Sequence, residues 1–377
     1  MKKTFITKQQ FFTILFTYML SNELFRGYYS RDYQNNVWIP LVMAIPMSIF
    51  LFFIYSFIFK NTNYSDFKTA IEKILGPFFS KMFFIIYSIY FGFLLLLVTR
   101  DLSELVNLYL MQNEIFWFLT GSLLLVTLYA LNKGIECVAR YSTIIFFISI
   151  ISFALFFTLL MIINKPDYAN LLPILPNGII PLLKPALQMS YSIPMGEIFI
   201  LIIIFQYIKP EQKSKAFKTS YLGIIFVGII NLLIAIANII FLVSENLQMG
   251  FGLTMRLWRK IDLEEFIQRF DLIVLNILVL HVIVKTTVLL LASGKTFGAI
   301  FKIKKQKFIF PIICIIIFFL LMIVFTDYTK LIEFRTKIII PYIKIIFEVF
   351  IPILIVIISF LRKNKISKEN KQIDYNI

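Results

Sequence analysis

One carboxylate stands out as a candidate for chemistry, because Glu197 follows Pro194 and Gly196 inside an apolar run over about 179–207. A run of this length is long enough to cross a bilayer. Proline removes a backbone donor and clashes with the preceding turn, and glycine adds backbone freedom, so the sequence predicts a helix that is broken within the membrane. Hydrocarbon satisfies neither freed backbone groups nor a lone carboxylate. We therefore predict that Glu197, with Tyr191 beside it, belongs to a protein-lined ligand site.

A second polar group interrupts the first apolar stretch at Ser21, Asn22 and Glu23. The N–H groups and dipole of a half-helix favour an anion, so a broken helix here would receive a ligand carboxylate. An amino acid would then place its amine on backbone carbonyls or on Glu197. Two alternatives stay open: the first span ends early and Glu23 lies in an outer loop, or Glu197 only bonds the backbone N–H groups that its own break frees.

The eighth apolar run carries two titratable residues on one face, since Lys285 lies one helical turn after His281. A buried lysine can titrate near neutral pH, so Lys285 is a candidate to replace a sodium ion or to relay a proton. The alternative is a lysine that snorkels to the headgroups. His281 alone is more often a packing residue. At the start of the run, Arg269 and Asp271 indicate an ion pair or a helix cap. Asp271 is also a candidate for coupling ligand binding to conformational change.

The remaining charged and polar residues of the apolar runs have simpler interpretations. Glu348 lies one turn after Lys344, and this spacing predicts that the two pair with each other. Tyr87 and Tyr90 would line a pathway or pack with one polar end. Phosphate loops, dinucleotide motifs, nucleophile elbows and metalloprotease helices do not occur in the sequence. We therefore predict that the chain is not an enzyme and needs no cofactor.

The composition shows which elements must position these residues. The chain has 377 residues, of which 59% are hydrophobic, and its mean hydropathy is +0.86. Repeated apolar runs of roughly 20 residues predict an all-α polytopic membrane protein. The net charge of +16 does not indicate nucleic-acid binding, because the basic residues lie between the runs. The single histidine and two isolated cysteines, Cys137 and Cys314, predict neither a metal site nor a disulfide framework. The N-terminus lacks a cleavage pattern, so the first run is expected to be a retained span.

Ten membrane spans are expected, and more than half of the 37 basic residues fall in alternate connecting segments. The positive-inside rule places that side, with both termini, in the cytoplasm. The spans run over about 8–28, 37–59, 81–103, 115–132, 141–163, 181–205, 216–243, 267–292, 308–326 and 338–361.

The two interrupted spans, 1 and 6, are five apart. Interrupted spans at matching positions of two halves indicate an inverted-repeat transporter fold of the LeuT-like, 5+5 type. We therefore expect one transmembrane domain over 1–361, with repeats at about 8–163 and 181–361, and a polar cytoplasmic tail over 362–377.

Several motifs together resemble the spore germination permease family, the B subunits of GerA-type nutrient receptors. They are the segment 134–140, which reads GIECVAR; Asn170-Leu171-Leu172-Pro173 before span 6; Gly196-Glu197 within it; and the segment 266–271, which reads FIQRFD. The resemblance rests on the order and spacing of these motifs, and it covers nearly the whole chain. The first span departs from the small, glycine-containing break expected in the family.

The resemblance implies the amino acid–polyamine–organocation superfamily fold and a location in the inner membrane of the endospore. It implies a larger A-type membrane subunit and a C-type lipoprotein as partners, and a small nutrient as ligand. Carried over by position, Glu197 is the span-6 carboxylate beside the pocket, and Arg140 belongs to the loop motif after span 4. The hypothesis is a nutrient sensor that signals by a conformational shift. A proton-coupled amino-acid transporter is the alternative, and a scaffold that binds no ligand is the third class.

Overall fold

The computed structural model describes residues 5–21, 29, 33–111, 116–242, 252–262, 269–301, 306–324 and 327–362. Asn22 and Glu23, two of the predicted site residues, lie outside this set. Helices make up almost all of the described chain, and the only β-type pairing in it is one isolated bridge. The all-α prediction is therefore confirmed for these residues.

The described α-helices are numbered here in chain order. They are α1 Lys8–Leu20, α2 Trp38–Asn61, α3 Phe67–Leu75, α4 Pro77–Val106, α5 Phe116–Lys133, α6 Ile135–Ile163, α7 Ile180–Tyr191, α8 Leu201–Phe205, α9 Lys213–Phe241, α10 Leu253–Arg259, α11 Phe270–Ile300, α12 Ile309–Ile323, α13 Tyr328–Phe334 and α14 Ile351–Leu361. Wider π-type turns extend two of them, over Asn107–Met111 after α4 and over Arg335–Lys344 and Ile346–Phe350 between α13 and α14. Short 3₁₀ turns lie at Gln34–Asn36, Tyr168–Leu171, Ile198–Ile200, Pro210–Gln212 and Gln306–Phe308.

Seven helical segments of the described chain are long and apolar enough to cross a membrane. They are Gln34–Asn61, Pro77–Tyr109, Phe116–Lys133, Ile135–Ile163, Pro210–Phe241, Phe270–Ile300 and Tyr328–Leu361. They match predicted spans 2, 3, 4, 5, 7, 8 and 10. The other three predicted spans contain shorter helices: α1 has 13 residues, α12 has 15, and the sixth is split into α7 and α8. The count of ten therefore stays a prediction.

The sixth span is interrupted where proline and glycine predicted a break. α7 ends at Tyr191, residues 192–197 are irregular, and helical structure resumes with a 3₁₀ turn at Ile198. All six residues of the interruption are buried. Irregular backbone at membrane depth needs protein partners, because lipid offers none.

Helix α1 lies in the centre of the bundle, and nine of its thirteen residues are buried. It packs against α6, α9 and α11, and α11 packs most extensively against α4. Large apolar side chains remain exposed on the outward faces of helices such as α5 and α6, including Leu125, Ile151 and Ile162. An apolar surface of this extent is expected where helices face lipid.

The amino-terminal end of α1 and the carboxy-terminal end of α8 are joined through the backbone. Ile6 and Ile208 form the isolated parallel bridge: Ile6 N–H donates to the Tyr207 carbonyl at 2.9 Å, and Lys209 N–H donates to the Ile6 carbonyl at 3.1 Å. The backbone N–H of Lys8 also donates to Gln212 Oε1 at 2.9 Å. The segment before α1 and the segment after α8 are therefore held together.

Candidate functional site

The break in the sixth span carries a buried charge cluster centred on Glu197. Lys285 Nζ lies 2.6 Å from Glu197 Oε2, and Lys344 Nζ donates to Glu197 Oε1. The exposed fractions are 3% for Glu197 and 1% for each lysine. Because charges this deeply buried are costly unless they are paired, the two ammonium groups are what permit a carboxylate at this depth.

The backbone at Glu197 adopts a conformation that non-glycine residues seldom take, with φ +61° and ψ 25°. A non-glycine residue in this left-handed region costs about 1–3 kcal/mol and persists only where its surroundings hold it. The preceding residue must be glycine, because a Cβ at Gly196 would lie 2.0 Å from the carbonyl carbon of Tyr191. The chain thus turns sharply and directs the Glu197 side chain towards the lysines.

A second buried carboxylate lies near the first. Glu348 accepts a hydrogen bond from Tyr90 Oη at 2.8 Å. It also interacts with the backbone of Phe199, in the first helical turn after the break. Tyr18 of α1 places its ring 5.0 Å from Lys285 Nζ, a cation–π distance. Side chains from α1, α4, α11 and the sixth and tenth spans thus meet around one break.

The tenth span reaches the cluster through unusual helical geometry. The π-type segments Arg335–Lys344 and Ile346–Phe350 carry three buried charged residues, Arg335, Lys344 and Glu348. Pro341 lies inside the first segment and has no backbone N–H to donate. The regular series of α-helical hydrogen bonds is therefore interrupted at this residue. Such wide turns often occur at functional sites.

The prediction that Lys344 pairs with Glu348 is wrong. Lys344 forms its salt bridge with Glu197, and Glu348 accepts from Tyr90 instead. The one-turn spacing favours a local pair in a regular α-helix, but this segment is π-helical, and the sixth span supplies a buried carboxylate that needs the charge. The alternative in which Lys285 snorkels to the headgroups is likewise wrong, because the side chain is buried against Glu197.

A separate buried ion pair connects the fourth helix to the tenth span. Arg335 donates to Asp101 Oδ2 at 2.7 Å, and Tyr328 Oη donates to Asp101 Oδ1 at 3.0 Å. Next to it, Arg100 lies over the rings of Phe116 and Tyr328 and pairs with a glutamate one turn later. Sequence reasoning missed this pair. The one sign of the pair in the sequence was the adjacent charges Arg100 and Asp101 at the end of an apolar run.

The structure brings some of the other predicted site residues to the break. Tyr191 is buried, and its hydroxyl donates to the Ile340 carbonyl of the tenth span at 3.2 Å. Pro194 lies in the irregular segment. Ser21 is buried at the end of α1, where its hydroxyl donates to the Tyr18 carbonyl at 2.6 Å. Ser21 is the C-cap of α1. The prediction that span 1 is broken concerns residues that lie beyond it, outside the described set, and it stays a prediction.

Two predicted residues lie apart from the cluster. Arg140 is 72% exposed in the first turns of α6 and pairs with Glu136 at 2.6 Å. Asp271 is buried at the start of α11 and binds Arg269 Nε at 3.0 Å, as the ion-pair interpretation expected. Neither contacts Glu197 in the structure. Across the described residues, histidine, cysteine and carboxylate side chains form no group of three that would hold a metal ion.

Comparison with known proteins identifies the family. The sequence profile described as "Spore germination protein" matches residues 5–330. The chain belongs to the spore germination protein family. Spore germination protein KB of Bacillus subtilis (strain 168) is 25% identical over 369 residues, which cover 98% of each chain. Spore germination protein YndE of the same organism is 23% identical over 82% of this chain and 85% of its own length. Spore germination protein GerQB of Bacillus cereus is 22% identical over 76% of this chain and 77% of its own length.

A solved structure shows the fold. Mhp1, a nucleobase-cation-symport-1 family transporter in a closed conformation with bromovinylhydantoin bound, matches with a TM-score of 0.63 and 13% identity. The match covers 86% of this chain and 73% of Mhp1. This spore germination family member is therefore an integral membrane protein with the LeuT-like fold, and the families that it matches are not enzymes. The predicted family and the predicted LeuT-like fold are confirmed, while the ten spans and their 5+5 repeat stay predictions.

Proposed function

We propose that this chain is the nutrient-sensing membrane subunit of a spore germination receptor, and that it binds a small amino acid at the break around Glu197. The observation that carries the proposal is the buried salt bridge from Lys344 to Glu197, which lies at the interruption of the sixth span. Buried ionisable groups at such interruptions are typical of ligand sites in this type of fold.

The charges of the cluster match those of an amino acid. Glu197 already accepts ammonium groups, so its environment suits a primary amine. A zwitterion inserted between Glu197 and Lys344 gives its amine to the carboxylate and its carboxylate to the lysine. Both protein charges keep a partner, so the exchange avoids the several kcal/mol that an unpaired buried ion costs.

In this mechanism, Lys344 occupies the site when the nutrient is absent. Its displacement releases the tenth span from the sixth. The ligand then shifts the population between two conformers only to the extent that it binds one of them more tightly. Lys285 stays on the second carboxylate oxygen and holds Glu197 in its strained backbone conformation.

The wider setting is part of the proposal. Ten spans in a 5+5 inverted repeat would place both termini in the cytoplasm, in the inner membrane of the endospore. A larger A-type membrane subunit and a C-type lipoprotein would complete the receptor. Support comes from the family, from the pairing of seven described helical segments with predicted spans, and from the interruption of the sixth span.

The test begins with spores that lack this gene, screened against the twenty L-amino acids to find the response that is lost. Spores carrying Glu197→Gln then give a dose-response for that amino acid. We expect the half-maximal concentration to rise at least about tenfold, which corresponds to about 1.4 kcal/mol. Glu348→Gln is the matched buried control, since its amide oxygen still accepts from Tyr90, and it should respond normally. An unchanged response of Glu197→Gln at normal protein levels would remove Glu197 from the mechanism.

Proteoliposomes that contain only this chain separate the sensor from its rivals. Binding of the labelled amino acid without accumulation in the lumen supports the sensor. Accumulation driven by a proton gradient supports the transporter. Absence of both binding and uptake, in protein that is folded, supports the scaffold.

A further inference from the structure

The tenth span changes its hydrogen-bonding pattern beside the buried charge cluster. A π-type segment ends where α14 begins, and the N–H of Ile351 still donates five residues back, to the Ile346 carbonyl. The next residue, Pro352, has no N–H. Its missing bond would reach Phe347 in the π pattern or Glu348 in the α pattern. The carbonyls of Phe347 and Glu348 therefore lie at a junction where the helix lacks a donor.

Two tyrosines from other helices donate to these carbonyls. Tyr87 Oη of α4 donates to the Phe347 carbonyl at 2.7 Å, and Tyr55 Oη of α2 donates to the Glu348 carbonyl. Both tyrosines are buried. A buried carbonyl without a donor costs free energy, so the two hydroxyls replace the bond that the proline removes. The tenth span is thus hydrogen-bonded to α2 and α4 through its backbone at this junction.

The same two tyrosines contact the sixth span. The ring centroid of Phe199, two residues after Glu197, lies 5.4 Å from that of Tyr55 and 5.2 Å from that of Tyr87. Aromatic rings at such distances are in packing contact. Phe199 lies in the first turn after the break and is fully buried. The rings of Tyr55 and Tyr87 therefore touch the helix that resumes after Glu197, while their hydroxyls bind the tenth span.

We propose that Tyr55 and Tyr87 are positioning residues that couple the break to the tenth span. They hold the tenth span where Lys344 reaches Glu197, and movement of the break shifts Phe199 against their rings and weakens both hydroxyl bonds. This inference rests on the proposed function, in which the nutrient displaces Lys344. Coupling of this kind is carried by packed side chains and hydrogen bonds that have two arrangements. The arrangement described here, with both hydroxyl bonds formed, is the resting one.

Phenylalanine variants remove each hydroxyl and keep each ring. Tyr55→Phe and Tyr87→Phe each take one hydrogen bond from the resting arrangement, so less nutrient should be needed to leave it. In spores, we expect the half-maximal concentration of the amino acid found by the deletion screen to fall about fivefold for each variant, the effect of one neutral hydrogen bond. A residue with only a structural role would weaken the response instead. Tyr64→Phe is the matched control, because the Tyr64 ring packs on Phe205 and Phe217, and its response should not change.

Hydrogen–deuterium exchange of the full chain in lipid nanodiscs tests the coupling without any nutrient. In each tyrosine variant we expect amide exchange to become about fivefold faster both in the tenth span, around residues 345–350, and in the sixth span, over residues 198–205. Tyr64→Phe should exchange at the wild-type rate. Faster exchange in the tenth span alone, or in neither span, would overturn the proposal. If one tyrosine variant does not fold, the other decides.

The two assays separate failure of the coupling from failure of the amino-acid site. If Glu197→Gln leaves the nutrient response unchanged, the proposed function fails, and the exchange experiment alone decides whether the tyrosines couple the two spans. If Glu197→Gln raises the half-maximal concentration while Tyr55→Phe and Tyr87→Phe leave it unchanged or raise it, at normal protein levels, the amino-acid site stands and the coupling is overturned.

Discussion

Lys285 Nζ lies 2.6 Å from Glu197 Oε2, and both side chains are almost fully removed from solvent and lipid. This pair joins the middle of α11 to the interruption of the sixth span. Lys344 completes the arrangement from the tenth span, so one carboxylate connects three membrane-crossing segments. Removing the carboxylate should therefore affect all three at once.

The first prediction concerns the stability of this cluster. Glu197→Gln keeps the size of the side chain but leaves two buried ammonium groups without a counter-charge. We expect the free energy of unfolding to fall by about 3–5 kcal/mol, measured by thermal or denaturant unfolding in detergent. Adding Lys285→Met and Lys344→Met should recover most of this loss. A triple variant as unstable as Glu197→Gln alone would show that charge imbalance is not the cause.

The second prediction concerns the ion pair between Asp101 and Arg335. Asp101→Leu and Arg335→Leu should each destabilise the protein by about 3–5 kcal/mol, because each removes the oppositely charged group that a buried charge binds directly. The double variant should lose much less than the sum. The exposed pair of Glu333 and Lys337 is the control, and its double-mutant cycle should give little coupling. Additive losses at Asp101 and Arg335 would mean that the two charges do not interact.

The third prediction concerns Gly196. A Cβ there would overlap the backbone of Tyr191 and Ser192, so Gly196→Ala should prevent formation of the break and greatly reduce the yield of folded protein. At Gly121 an added Cβ meets only two ring carbons of Phe318, at 3.4 and 4.0 Å, so Gly121→Ala should fold normally. Monodispersity on size-exclusion chromatography distinguishes the two. A well-folded Gly196→Ala protein would contradict the tight turn.

The fourth prediction concerns the backbone bridge between Ile6 and Ile208. With Cys137 and Cys314 replaced by serine, cysteines at positions 6 and 208 should form a disulfide on mild oxidation, since bridged residues lie within disulfide range. Thiol labelling with a maleimide polymer reports the free fraction. Phe5→Cys with Ile208→Cys is the control, because Phe5 is exposed. Equal cross-linking in both proteins would contradict the pairing.

The sequence predicted those features that depend on local chemistry. Pro194 and Gly196 predicted the interruption of the sixth span, because proline lacks a backbone N–H donor and glycine adopts more backbone conformations. Both effects are local to the residue itself. Long apolar runs predicted the seven spanning segments, since length and hydropathy are read from consecutive residues. The resemblance of four short motifs predicted the family that the comparison confirmed.

The sequence predicted contacts across the bundle less well. Lys344 and Glu348 are one turn apart, and the rule for regular α-helices paired them, whereas π-type turns and the demand of Glu197 separated them. Asp101 and Arg335 are 234 residues apart, so no local rule connects them. Neither residue was singled out from the sequence, where the one signal was the adjacent charges Arg100 and Asp101 at the end of an apolar run. Partner choice among buried charges depends on the packing of whole helices, which one sequence does not show.

The bridge at Ile6 has a mechanical consequence. The strand-like segment before α1 is hydrogen-bonded to the segment that directly follows α8, and α8 begins only four residues after Glu197. Tension applied at Ile6 would therefore reach the buried Glu197 carboxylate through the backbone bridge and the short helix α8.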